Sequence, residues 1–271
     1  MIMAYTEAAK PAYRFRSAAE TDPGLRKTLN EDSFWNRSAQ IEPEILAQLG
    51  AMYAVADGVS GHAGGEIASR IAIDTLRMYY VLPHVNIPRE DRLRNVFLEA
   101  HRRIEEYAKK HPEYHGMGTT MTAMALHDGR MMYAHVGDSR LYLIRSASRD
   151  ITQLTNDHTL VNRYIAEGKL TPEEAAEEDS NVLDQALGCV PRVRVETGGR
   201  DALAPGDFLL LCSDGLTDMV SDAKIRDIVL GSPGIEDACH RLILKANQHG
   251  GKDNITVVLV AIEYAAQDGT T

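Results

Sequence analysis

The chain has 271 residues, 44% hydrophobic and 25% charged, which suffices for one large core or at most two smaller ones. A formal net charge of −10 runs against a nucleic-acid-binding surface, which is basic. No apolar run approaches the roughly 20 residues that span a bilayer, and the N-terminal MIMAYTEAAKPAYRFR lacks the pattern of a signal peptide, so no membrane attachment is expected.

In chain order, residues 1–11 and 265–271 read as frayed tails around a single domain with its core at about 12–263. Residues 13–18, 33–37 and 52–56 read as strands. Residues 65–82 read as a helix with Ile67, Ile71, Thr75, Met78 and Tyr79 on one face, and 89–110 as a second, with Leu93, Val96, Phe97, Ala100, Ile104 and Tyr107 at helical spacing. Pro112 stops it. Strands at 119–126 and 131–136 flank Asp128-Gly129, a hairpin signal. Two more strands are expected at 141–145 and 151–154. Residues 159–180 are polar and rich in Glu, an expected flap. Residues 207–213 form a strand, 222–230 and 235–249 helices, and 255–263 a closing strand. Hairpins build antiparallel sheet. The expected class is α+β, a four-layer αββα sandwich of two antiparallel sheets flanked by helix pairs. Cys189, Cys212 and Cys239 are odd in number and form no CxxC pair, which suggests reduced thiols in a cytoplasmic protein, with Cys212 in the core.

The stretch VADGVSGHAGGE, residues 55–66, sets Asp57 at the lip of a strand and keeps the next residues small, so that a backbone can bend and a ligand can approach. Other acids share that setting. Glu31 and Asp32 precede SFWNR, Asp138 comes after MMYAHVG, Asp214 ends FLLLCSD, and Asp253 precedes NITVVLV. Strand ends on one side of a sandwich converge, and carboxylates meeting there repel one another unless cations intervene. Oxygen ligands without Cys or His favour Mg²⁺ or Mn²⁺. Asp and Gly also mark ordinary turns, but turn chemistry does not demand an acid at the end of each core strand.

The ordered set LRKTLNED, ADGVSGHAGGEIAS, GTT, VGDSRLYLIR, LTNDH, LLLCSDGLTD and GGKDNITVVLV resembles the metal-dependent protein phosphatase family, the protein phosphatase 2C class, in its compact bacterial form, over residues 12–263. The resemblance implies a phosphoserine/phosphothreonine phosphatase holding two to three Mg²⁺ or Mn²⁺ ions and attacking phosphorus directly with a metal-bridging hydroxide. It implies that Asp57 bridges two metals, that the Gly58 carbonyl and Glu31 bind the second, and that Asp214 and Asp253 hold the first. Asp138 with Asp214 would form a weaker third site, Asp32 would orient metal waters, and Asn254 would brace Asp253.

Two positions depart from the family pattern. Lys27, with Arg26 before it, stands where an arginine grips the substrate phosphate, and a point charge does not replace a bidentate fork. Strand-like alternation would send Arg26 and Lys27 to opposite faces, leaving one as the anchor. Val59 stands where animal members carry a histidine, so His62 is either the general acid or a loop histidine. His158 is expected to order the chain entering the flap, and Thr119 and Thr120 to cap or pair strands. Expected partners are phosphorylated Ser/Thr proteins of a cognate kinase, with the enzyme a monomer. The alternatives are a pseudophosphatase binding module, against which the complete acid set argues, and a metal hydrolase of small phosphate esters.

Overall fold

A computed structural model describes residues 13–37, 50–59, 63–81, 89–127, 129–175, 182–200 and 203–264. One five-stranded sheet runs β1 (Tyr13–Asp22), β10 (Ile255–Tyr264), β9 (Phe208–Cys212), β6 (Arg140–Arg145), β7 (Asp150–Gln153). The other runs β2 (Ser33–Arg37), β3 (Ala51–Ala56), β4 (Met121–His127), β5 (Arg130–Val136), β8 (Glu196–Arg200). Every pairing is antiparallel. The hairpin at residue 129 is as expected: β4 and β5 meet at His127 and Arg130, and Gly129 has φ +70°; Asp128 lies outside the described residues.

The central strands are apolar throughout because both faces are buried. Leu209, Leu211, Val258 and Val260 face Tyr53, Val55, Met124 and Leu126 between the sheets. Their neighbours Leu210, Cys212, Val257 and Leu259 face the outer helices α6 (Asp222–Gly231) and α7 (Ile235–Gln248), so Cys212 is core, as expected. On the other sheet, α1 (Gly65–Val81) and α2 (Arg89–Lys110) cover Trp35, Ala54, Ala56, Ala123 and Ala134. The buried side of α2 is the expected one, with Leu93, Val96, Phe97, Ala100 and Ile104 buried. On α1 the buried stripe is shifted by about one residue. Ala68, Ala72, Leu76 and Tyr80 face the sheet, while Met78 is 48% exposed. Small alanines let the helix sit close, which the bulkier Ile67 and Ile71 on its flank would not.

Several boundaries move. β1 extends to Asp22, beyond the expected end at residue 18, because it pairs with β10 along its whole length. β4 begins at Met121, and Thr119 makes only isolated bridges to Gly58 and Leu187. β8 was not expected: its sequence, ETGGR, is polar and carries two glycines, so alternation is absent. The expected flap holds α3 (Leu160–Ala166) and α4 (Pro172–Ala175) and is largely exposed; residues 176–181 lie outside the described residues. The expected tails also lie outside them.

Register brings the acids together. Ser33 opposes Ala56, and Met121 opposes Val136, so the start of β2, the end of β3 and the end of β5 share one edge of the second sheet. Asp22 opposes Ile255, and Val257 and Arg140 both oppose Cys212, so the start of β10 and the end of β9 share one edge of the first. Residues 31–32, 57, 138, 214 and 253 flank those positions.

Candidate active site

At that end lies a cleft of about 410 Å³ lined by Asp57, Gly58, Asp138, Asp214, Asp218 and Asp253, among others. Asp57 is held by its backbone. Its N–H donates to the Thr120 hydroxyl at 3.0 Å, and its carbonyl accepts from the Thr120 N–H and the Thr119 hydroxyl, both at 2.8 Å. Thr119 and Thr120 therefore fix the first acid, beyond the strand-pairing role expected of them.

The small residues after Asp57 have a clear cause. A Cβ on Gly58 would lie 2.4 Å from the Gly65 carbonyl carbon, and one on Gly65 would lie 2.6 Å from Glu31 Oε1. Loop, helix start and Glu31 side chain thus close on one another only because both positions are glycine. The Glu31 backbone is held too: its N–H donates to Asn254 Oδ1 at 2.8 Å, and its carbonyl accepts from the Ser69 hydroxyl at 2.6 Å.

The Asp32 carboxylate accepts from the Thr256 and Ser213 hydroxyls at 2.6 and 2.8 Å through Oδ2. Burial nevertheless pushes it up to about 6. Burial raises Asp138 to about 7, with the charges of Asp157 and Asp218 adding. Asp57 and Asp214 lie well above the usual carboxylate range, first through burial, then through neighbouring acids: Asp32, Asp214 and Asp138 for Asp57, and Asp138, Asp218 and Asp253 for Asp214. Oδ1 of Asp32 and Oδ1 of Asp214 are buried without a hydrogen-bond partner among the described residues. Crowded, desolvated carboxylates with spare oxygens form a hard donor set that fits divalent cations. Among the described residues no group of three or more His, Cys, Asp or Glu side chains is placed to hold an ion without side-chain adjustment.

Lys27 Nζ lies 2.8 Å from Asp253 Oδ1, an acid of the cleft, while Arg26 is exposed. Residues 24–26 form a turn, so the expected strand alternation is absent; Arg26 is exposed and Lys27 half-buried. Asn254 touches Asp253 through its backbone and has a further role through its side chain. Its backbone N–H meets Asp253 Oδ1 at 2.8 Å, but its side chain staples the first loop, donating to the Pro23 and Leu29 carbonyls at 3.0 Å each and accepting from Glu31. His62 lies outside the described residues. Asp218 was not anticipated. It caps the short helix α5 (Asp214–Thr217), one turn beyond Asp214, so the spacing signal appears once the helix is seen.

A roomier cavity of about 530 Å³ lies elsewhere, between Arg16, Phe208, Pro233 and Tyr264. Its acids are already paired, Asp207 with Arg145 and Glu263 with Arg16, so the carboxylate cleft is the better candidate.

Two antiparallel sheets between helix pairs, with crowded, buried carboxylates gathered at one end, are the architecture of a metal-dependent hydrolase. The sequence profile of the Protein phosphatase 2C family matches residues 28–246, and the chain belongs to that family. It is 38% identical over 247 residues to protein phosphatase PhpP of Streptococcus pneumoniae, covering 89% of this chain and 95% of that protein. It is 36% identical over 252 residues to serine/threonine protein phosphatase PstP of Mycobacterium tuberculosis, covering 91% of this chain and 45% of that one. Among solved structures, the PstP catalytic domain in complex with two manganese ions superposes with a TM-score of 0.76 at 35% identity, covering 93% of this chain and all of that one. The serine/threonine phosphatase Stp1 of Staphylococcus aureus gives 0.81 at 31% identity, covering 96% of this chain and all of that one.

Proposed function

We propose that this chain is a Mg²⁺- or Mn²⁺-dependent phosphatase of phosphoserine and phosphothreonine in proteins. The observation that carries the reading is the cluster of Asp32, Asp57, Asp138 and Asp214, four buried carboxylates raised by desolvation and by neighbouring acids, with an unpartnered oxygen on Asp32 and on Asp214. In this reading Asp57, Gly58, Glu31, Asp214 and Asp253 hold two ions, and Asp138 with Asp214 a third. When bound, the ions supply Lewis acidity and offset charge on phosphoryl oxygens. Asp32, fixed by Ser213 and Thr256, orients water beside the cleft. Lys27 places an ammonium at the rim against the substrate phosphate. The proton for the departing seryl or threonyl oxygen is assigned to His62 or to water.

The substrates are phosphoproteins, the targets of a cognate Ser/Thr kinase in a cytoplasmic signalling pair, and the enzyme works as a monomer. Three free cysteines suit a reducing compartment. No helix among the described residues is long and apolar enough to cross a membrane. The test is hydrolysis of p-nitrophenyl phosphate and a phosphothreonine peptide after metal stripping. Activity returning with Mn²⁺ or Mg²⁺, and higher kcat/KM on the peptide, supports the reading. Full activity in excess EDTA overturns it.

A further inference from the structure

We propose that His158 is a positioning residue for Asp138 and that it acts through Gly137, tying the third cation site to the base of the flap. The inference rests on the assignment of Asp138 made above. Between β5 and β6 the chain turns through Gly137, Asp138 and Ser139. Gly137 has φ +112°, and a Cβ there would lie 2.5 Å from the Thr120 side chain, so this turn is set against the same threonine that holds Asp57. No hydrogen bond to another side chain holds the Asp138 carboxylate among the described residues; the one it accepts comes from its own backbone. Its aim is therefore inherited from the backbone at residue 137.

His158 grips both polar groups of that backbone. Its N–H donates to the Gly137 carbonyl at 2.7 Å, and its ring Nδ1 accepts from the Gly137 N–H at 3.2 Å. An accepting Nδ1 leaves the ring proton on Nε2, which faces Glu196 Oε2 at 3.5 Å. Glu196 comes from β8 and is anchored by the Tyr133 hydroxyl at 3.2 Å and Asn156 Nδ2 at 3.1 Å. The His135 ring packs on the His158 ring with centroids 4.7 Å apart, and is itself bonded to Thr122 and to the Asn156 carbonyl. The imidazole is thus locked in place and in tautomer. Its own carbonyl accepts the Asp184 N–H at 2.7 Å, where the chain returns from the flap, and Asp184 binds Arg163 of α3 and Arg194. One residue therefore joins the backbone that aims Asp138 to the two ends of the flap. Clamps behind a cation-binding side chain act on affinity without touching the ion.

The test is Mn²⁺ titration of metal-stripped protein by isothermal calorimetry, with Asp138→Asn as reference. His158→Asn keeps an acceptor where Nδ1 stands, whereas His158→Leu and His158→Gln remove it from that place. Loss of the clamp should weaken the class of Mn²⁺ sites that Asp138→Asn weakens by about 10-fold or more, the usual effect of an outer partner, and leave the tighter sites unchanged. His158→Asn should stay close to the parent chain. If His158→Leu fails to fold, the comparison of His158→Gln with His158→Asn decides. Equal binding by the Gln and Asn variants, while Asp138→Asn is impaired, overturns the clamp and leaves the proposed function standing. An unchanged isotherm for Asp138→Asn overturns the Asp138 assignment, and the clamp falls with it.

Discussion

Lys27 Nζ sits 2.8 Å from Asp253 Oδ1, so an ammonium neutralises one proposed ligand before any cation or substrate arrives. The pair is partly open to solvent, with 27% and 34% of the two side chains exposed, and can exchange partners. An ion on Asp253 would free the ammonium for a phosphoryl oxygen. Lys27→Ala should therefore lower kcat/KM on a phosphothreonine peptide roughly tenfold or more, as expected for a charged contact of about 1.5–3 kcal/mol. Mn²⁺ affinity should hold or rise, because a competitor has gone. Arg26→Ala should matter less and Lys27→Arg be tolerated. Kinetics showing a large loss in Arg26→Ala alone would move the anchor to Arg26.

Removing one carboxylate from a shared cluster should separate the acids by role. Asp57→Asn, Asp214→Asn and Asp253→Asn should each abolish turnover and leave circular dichroism unchanged, since no core contact is lost. Asp138→Asn should retain two bound ions and turn over more slowly. Metal counts by elemental analysis check this, and a metal-free Asp138→Asn protein would refute the third-site assignment.

The raised carboxyls predict how metal binding depends on pH. Asp32 titrates at about 6 and Asp138 at about 7 in the fold, against 3.8 when unfolded, burial being the first cause for both. An acid raised in this way contributes stability that is full below 3.8 and lost as pH climbs through its folded value. Buried His135, pushed down to about 3 from 6.5 first by burial and then by the neighbouring His158 ring, acts the other way and costs stability as pH falls below 6.5. Comparing Tm with and without Mn²⁺ cancels the histidine. The Mn²⁺-induced rise should be largest near pH 8 and shrink as pH falls through about 7 to 6, where protons compete for the same oxygens. A rise that stays constant down to about pH 5.5 would contradict the proton competition.

Asn254 is 2% exposed and its side chain makes three hydrogen bonds to the first loop. Asn254→Ala should cost about 2–3 kcal/mol in chemical denaturation, the toll of stranded buried groups. It should also lower kcat more than a stability change alone explains, because Glu31 and Lys27 ride on the released loop. Wild-type kcat in the folded fraction would argue that the loop holds its shape without the staple.

Much of the architecture was legible because core strands are unbroken apolar runs, because α2 carries strong helical periodicity, and because acids at strand ends stand out against those runs. The misses have physical causes. β8 has no hydrophobic pattern, since Gly198 and Gly199 leave nothing to alternate. α1 packs through alanines, which a search for bulky residues passes over. The loop at Lys27 owes its course to Asn254, a contact spanning 223 residues and invisible to local pattern. Asp218 was hidden because a helix as short as Asp214–Thr217 gives no period of its own.

The pairing of β1 with β10, together with the Asn254 staple, has a consequence for when the enzyme becomes competent. The opening loop takes its shape from the closing strand, so a chain still emerging from the ribosome carries Glu31, Asp57 and Asp138 long before it carries their scaffold. Contacts of such separation form late and slowly. Until β10 is free to pair, the nascent chain therefore lacks the loop geometry that sets Glu31 and Lys27 in place.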